Sequence, residues 1–228
     1  MEQASEQLST APGETVRDDE LCVDLRIVLL TVANGQLLVA VLPAADRWQL
    51  PRGIPFAGVP LDTAARSLIR ESTELHEQYL EQLYTLSVRD SNRWIVVVSY
   101  LALIATAGGL PEPMAEWQPV SSVSLSEADT MVLEYAIVRL RAKLGYTTIA
   151  YHLMPETFTL TELQASYESV VGLSLDKRNF RRRVIASGML EQLSEKRRDG
   201  SHRPAQLYRF RAGHDPAAYL TPSWAGDA

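Results

Sequence analysis

From Leu21 onward the hydrophobic positions switch between the two-residue period of strands and the longer period of helices. Leu21–Ala33 is β-branched and apolar, Asn34-Gly35 is a strong turn signal, and residues 36–42 return as a hairpin partner. Trp48-Gln49-Leu50-Pro51-Arg52-Gly53 reads as a loop. Leu61, Ala65, Leu68, Ser72 and Leu75 then mark one face of a helix. Strand-like runs follow at residues 79–87 and 93–105, with a shorter one at 116–120. Hairpin, loop, helix and further strands in that order predict an α+β sandwich rather than a regular βαβ alternation.

The second half reads as mainly helical. Residues 129–144 form a helix in which Met131, Ala136, Val138 and Leu140 are apolar and Arg139, Arg141 and Lys143 are interspersed; it is placed to link two domains. Residues 160–171 form a shorter helix, joined near Gly172 to another that follows Asp176. On that last helix Phe180 and Val184 sit together with Ile185 further round, and these are expected to pack inward. Arg178, Asn179, Arg182 and Arg183 fall opposite and face out. Ser174 is placed to cap its start, and Gly188 suits its stop. Two helices so joined suggest a helix-turn-helix, whose second helix enters the major groove. Residues 189–195 and 205–211 pair as two strands, and the loop between them is a wing.

Charge sharpens this picture. Residues 173–213 hold eleven Lys/Arg against four Asp/Glu, a net +7, while the whole chain of 228 residues carries −6, so the remainder sums to −13. An acidic chain that gathers positive charge on one helix and one hairpin is building a surface for a polyanion. A merely solvated helix face mixes both signs, whereas like charges at this spacing repel unless an external anion offsets them. Asn179 and Arg182 suit base edges, adenine and guanine respectively. Lys177, Arg178, Arg183, Lys196, Arg197, Arg198, Ser201, His202 and Arg203 complete the candidate DNA surface. Arg181 lies beside Val184 and Ile185 on the wheel and reads as an ion-pairing or phosphate-clamping residue.

Composition bounds the remaining classes. The only cysteine is Cys22, which excludes an intrachain disulfide and a cysteine-based zinc site. The apolar run 94–105 contains Ser99 and Tyr100 and falls short of the roughly 20 residues that span a bilayer. With no leader-like start, a cytoplasmic location and no membrane partner are expected. Residues 1–20 are polar and read as disordered, and 214–228 as a loose tail in which Tyr219 and Trp224 could still dock.

The first domain resembles the Nudix fold. Its signature is a glycine, a glutamate after five further residues, then after seven more Arg-Glu, an aliphatic, any residue, Glu-Glu, any residue and glycine. Leu50-Pro51-Arg52-Gly53 and Leu61-Asp62-Thr63-Ala64-Ala65 anchor an ungapped alignment. In it Val59 stands at the first glutamate, Ser67 and Leu68 replace Arg-Glu, Glu71 keeps the first of the paired glutamates, Ser72 replaces the second and Glu74 replaces glycine. A register shifted by three residues recovers Arg70, Glu71 and Glu74 but needs an insertion; the ungapped one is preferred. Hydrolysis of a diphosphate needs several carboxylates on one helix face to hold divalent cations. The losses therefore predict a catalytically inactive Nudix-like domain, with no catalytic residues, no metal site and no cofactor. Trp48, Arg52, Arg70, Glu71, Glu74 and Arg89 are the candidate ligand-binding residues, the arginines for an anion and Trp48 for stacking.

A Nudix-like domain followed by a winged helix is similar to the Nudix-related transcriptional regulators, the NrtR family. Tyr79-Leu80-Glu81-Gln82-Leu83-Tyr84-Thr85-Leu86 resembles the family's strand after the Nudix helix. Asn179-Phe180-Arg181-Arg182-Arg183 and His202-Arg203-Pro204-Ala205-Gln206-Leu207-Tyr208-Arg209-Phe210 resemble its recognition helix and returning wing strand. The resemblance covers residues 21–213 and implies an N-terminal α/β/α sandwich over 21–124, a linker helix over 125–145 and a winged helix-turn-helix over 146–213. It also implies a homodimeric repressor on a palindromic operator of double-stranded DNA, released by ADP-ribose or a related nucleotide effector. Two alternatives stay open: an active Nudix hydrolase of a nucleoside diphosphate derivative, and a regulator sensing a sugar or other metabolite. A winged helix used only for protein contacts is disfavoured by the +7.

Overall fold

The computed structural model describes residues 21–74, 76–77, 79–90, 93–105, 115–146, 149–198 and 204–211. The segments expected to be loose at 1–20 and 214–228, Leu75, and the wing residues Ser201, His202 and Arg203 lie outside the described residues.

Strand β1 (Leu21–Ala33) and β2 (Gln36–Pro43) form the expected hairpin. Asn34 and Gly35 turn it with φ of 51° and 72°, the left-handed pair whose twist matches the flanking strands. Residues 48–53 are not a plain loop but two short strands, β3 (Trp48–Gln49) on β2 and β4 (Arg52–Gly53) on β1. The reason is an open edge: β2 pairs β1 only from Leu30 to Ala33, which leaves the edge at Leu25 and Arg26 for β4.

Helix α1 (Leu61–Thr73) follows, then β5 (Tyr79–Asp90), β6 (Arg93–Leu103) and β7 (Glu116–Pro119). β6 runs parallel to β1, β5 lies antiparallel outside it, and β7 pairs with β2. Leu25, Ile27 and Leu29 pack with Ala65 and Ile69 of α1. Val28, Leu30, Val39 and Val41 pack with Val132, Leu133, Ala136 and Leu140 of α2 (Glu127–Tyr146). Helices on both faces make this a sandwich, and the burial of β1 from Asp24 to Thr31 explains its near-continuous apolar run. On α2, Ala136 and Leu140 are buried, whereas Met131 and Val138 face solvent.

The α2-side core continues into the C-terminal part through a 3₁₀ turn, Ile149–Leu153. There β8 (Phe158–Thr159), α3 (Leu160–Val171), α4 (Lys177–Ala186), β9 (Leu190–Arg197) and β10 (Ala205–Phe210) make a three-stranded sheet against two helices. α3 opens with a capping box: the Glu162 N–H donates to Thr159 Oγ1 at 3.2 Å, and the Thr159 N–H donates to Glu162 Oε2 at 2.7 Å. It ends at Gly172, whose φ of 76° makes the turn into α4. Phe158, Leu163, Tyr167, Val170, Phe180 and Val184 join the same core as β1 and α2, so the two parts share one packed interior.

Candidate functional site

α4 is anchored from beneath. Phe180 and Val184 are its buried residues, and the Phe180 ring meets Tyr167 of α3 edge-on at 5.3 Å. The cap is Asp176, not Ser174: the Asn179 N–H donates to Asp176 Oδ1 at 2.8 Å. A carboxylate there also opposes the helix dipole, which the hydroxyl of Ser174 does not. Gly188, with φ of 71°, turns the chain toward β9 as expected. Ile185 does not pack inward; it is 56% exposed. One step of about 100° past Val184 carries it off the side that α3 covers.

The outward face carries the expected chemistry. Arg178 and Arg182 are exposed, and Arg182 Nη2 donates to Asn179 Oδ1 at 2.8 Å, so the two candidate base readers are bonded to each other. Among the described residues Lys177, Arg178, Arg183, Lys196 and Arg198 have no ion-pair partner. Other cations of the window are spent internally. Arg181 Nη2 donates to Thr161 Oγ1 at 3.0 Å, a tie to a hydroxyl rather than an ion pair, and its Nε is buried without a partner. Arg209 pairs with Glu191 at 2.9 Å. Arg197 pairs with Glu162, the capping glutamate of α3. Burial alone would raise the Glu162 carboxyl; hydrogen bonds from Thr159 and Arg197 outweigh it and hold it below the usual carboxylate range.

In the Nudix-like part, Glu74 takes a left-handed φ of 56° directly after α1. That is the conformation glycine adopts freely, and glycine is what the signature places there in the ungapped register. The structure thus favours that register. Leu68 and Ser72 then occupy two glutamate positions: Leu68 lies against Gly53 and Ser72 is buried. Among the described residues no three His, Cys, Asp or Glu side chains gather as a metal-binding group.

The six candidate ligand residues are not drawn into one cluster. Trp48 packs on the α2-side core. Arg70, Glu71 and Glu74 are exposed on and just beyond α1, with Arg70 Nη2 donating to Ser67 Oγ at 3.3 Å. Arg89 is exposed on β5, opposite Trp94 of β6. Arg52 belongs to a network that the sequence reading missed. Its Nη2 lies 2.8 Å from Asp24 Oδ2, Arg26 Nε donates to the same oxygen at 3.3 Å, and Arg26 Nη1 donates to Asp129 Oδ1 at 2.7 Å. Arg26, Asp24 and Asp129 are 4%, 3% and 2% exposed, so β1, β4 and the start of α2 are pinned through buried charge. Two charged residues, Asp24 and Arg26, two positions apart in an otherwise apolar strand were the available signal.

A second missed cluster ties β5 to α2. Glu81 on β5 takes Lys143 Nζ at 2.8 Å and Arg139 Nη2 at 2.6 Å from α2, while Lys143 Nζ also donates to the Tyr79 hydroxyl at 2.6 Å. Burial would raise the Glu81 carboxyl, but these donors and the Tyr79 hydroxyl together hold it low.

Known proteins share both sequence and architecture. The family model described as the NrtR DNA-binding winged helix domain matches residues 150–210. The "ADPR responsive transcriptional repressor NtrR" of Acinetobacter baylyi is 35% identical over 208 residues, covering 83% of this chain and 81% of that protein. The crystal structure of Shewanella oneidensis NrtR complexed with a 27mer DNA superposes with a TM-score of 0.74 at 28% identity, covering 86% of this chain and 96% of that one. A MutT/nudix family protein from Enterococcus faecalis shares the fold, with a TM-score of 0.66 at 19% identity. No described helix is long and apolar enough to cross a membrane. By its winged helix, its Nudix-like sandwich and its identity to a curated repressor along most of both chains, this chain belongs to the NrtR family of DNA-binding transcriptional regulators.

Proposed function

We propose that this chain is a cytoplasmic repressor that leaves its operator when ADP-ribose binds the Nudix-like domain, and that it does not hydrolyse that ligand. The observation that carries the reading is α4: a cationic face held outward by a buried Phe180–Val184 side and a bonded Asn179–Arg182 pair. ADP-ribose responsiveness is what the Acinetobacter relative is named for. Leu68 and Ser72 in place of carboxylates support binding without turnover. Arg52, half exposed and fixed by Asp24, is best placed of the candidates to meet a phosphate.

The division of labour follows: 21–124 senses, 125–145 links and 146–213 binds a palindromic operator as one half of a homodimer. The exposed Met131, Tyr135 and Val138 of α2, at i, i+4 and i+7, offer an apolar stripe to the second copy. Fluorescence anisotropy on DNA from upstream of the protein's own gene tests this, with and without ADP-ribose and magnesium, beside product analysis. Specific binding that ADP-ribose weakens, with the ligand recovered intact, is the expected outcome. Absence of binding at low salt overturns the regulator reading, and metal-dependent loss of ADP-ribose overturns the inactive one.

A further inference from the structure

Ile185 is an apolar residue in a cationic setting. Arg178, Arg182 and Ile185 stand at i, i+4 and i+7 on one stripe of α4, all three exposed. A lone exposed aliphatic is ordinary on a protein surface. This one shares its stripe with the two arginines that face away from α3, and Ala186 beside it is exposed too. From Arg178 to Ile185 the helix rises about 10 Å, close to three base-pair steps of about 3.4 Å. A helix seated in the major groove with Arg182 on a base edge therefore brings Ile185 against the groove floor one to two steps on. Only one group there rewards an aliphatic side chain, the C5 methyl of thymine.

We propose that Ile185 is a specificity residue of the recognition helix and selects thymine by packing on its C5 methyl group. Arg182 and Asn179 read hydrogen-bonding edges beside it. The inference rests on α4 being the DNA-reading helix and adds a base and a position to that reading.

Uracil differs from thymine by that methyl alone, which gives a direct test. Duplexes of 27 base pairs are selected from a random library with the full-length wild-type protein, and each thymine in turn is replaced by uracil. Anisotropy is then measured for wild type, Ile185→Ala and Ile185→Val. Wild type should lose about fourfold to tenfold in affinity at one thymine of each half-site, the scale of one or two buried carbon groups. Ile185→Ala should lose a similar factor on thymine and be indifferent to uracil at that position, while Ile185→Val keeps most of the discrimination. A wild type insensitive to uracil at every thymine overturns the proposal, as does an Ile185→Ala protein that stays as sensitive as wild type. If the wild type selects no duplex at all, the DNA-reading role of α4 fails and this inference fails with it.

Discussion

The imidazole of His152 lies 5.2 Å from the ring of Tyr79, tilted by 41°, and so joins the outer strand of the Nudix-like sheet to the 3₁₀ turn that leads into the winged helix. On its other side His152 meets Tyr151 edge-on at 5.2 Å, and Tyr151 meets Phe210 of the wing strand at 5.4 Å. Tyr79 is itself held by Lys143 and Glu81. Rings in contact thus run without a break from β5 through the 3₁₀ turn to β10.

The burial of His152 has a pH consequence. It holds His152 below the ordinary imidazole value, and its Nδ1 has no partner, so the folded protein favours the neutral ring. Between that lowered value and about 6.5 the unfolded chain binds more protons than the folded one, so stability falls as pH drops through the window and is restored above it. Thermal unfolding between about pH 7.5 and about pH 5 should show this loss in the wild type. His152→Phe, which keeps the ring stack, should flatten it. An unchanged acid limb in that variant would show that other groups govern it.

The Arg26–Asp129 pair should be among the costliest contacts to break. Arg26→Met strands the buried Asp129 carboxylate and leaves Asp24 to Arg52 alone, and a buried pair so broken costs about 3–5 kcal/mol. Asp129→Asn, which can still accept a hydrogen bond from Arg26, should cost less. Urea unfolding of the two variants checks the order; equal and small losses would mean water reaches the site.

What was legible in the sequence was what repeats or concentrates. The Asn34-Gly35 turn, the apolar run of β1 and the cationic run of α4 each follow local rules, and each stands close to where it was expected. Contacts between segments distant in the chain were not legible. Arg26 meets Asp129, and Glu81 meets Lys143, only because β1, β5 and α2 stack, and no local period records that. The β4 strand arose the same way, from an edge that β2 leaves open. Ile185 shows the limit of periodicity itself: an aliphatic beside a buried face was read as core, yet α3 covers too little of α4 to bury it.

On DNA, Asn179 and Arg182 should behave as one unit. Asn179→Ala and Arg182→Ala should each cost about 1–3 kcal/mol at one position of the operator. Because each orients the other through the 2.8 Å bond, the double variant should cost less than the sum. Strict additivity in anisotropy titrations would show that they read DNA independently.

Two neighbouring wing arginines should separate. Arg198 has no ion-pair partner among the described residues, so Arg198→Ala should weaken binding to all sequences alike and lower the salt slope by about 1, with stability unchanged. Arg197 also serves the fold through Glu162, a partly exposed pair for which about 0.5–1 kcal/mol is a fair scale. The lowered Glu162 carboxyl contributes stability above its unfolded value of about 4.3, and loses it as pH falls toward the folded value. Arg197→Ala should therefore raise the Glu162 titration in carboxyl NMR and lower the melting temperature at neutral pH, while the difference from wild type shrinks in acid. A melting temperature that falls equally for both variants, or for neither, would mean that Arg197 and Arg198 play the same part.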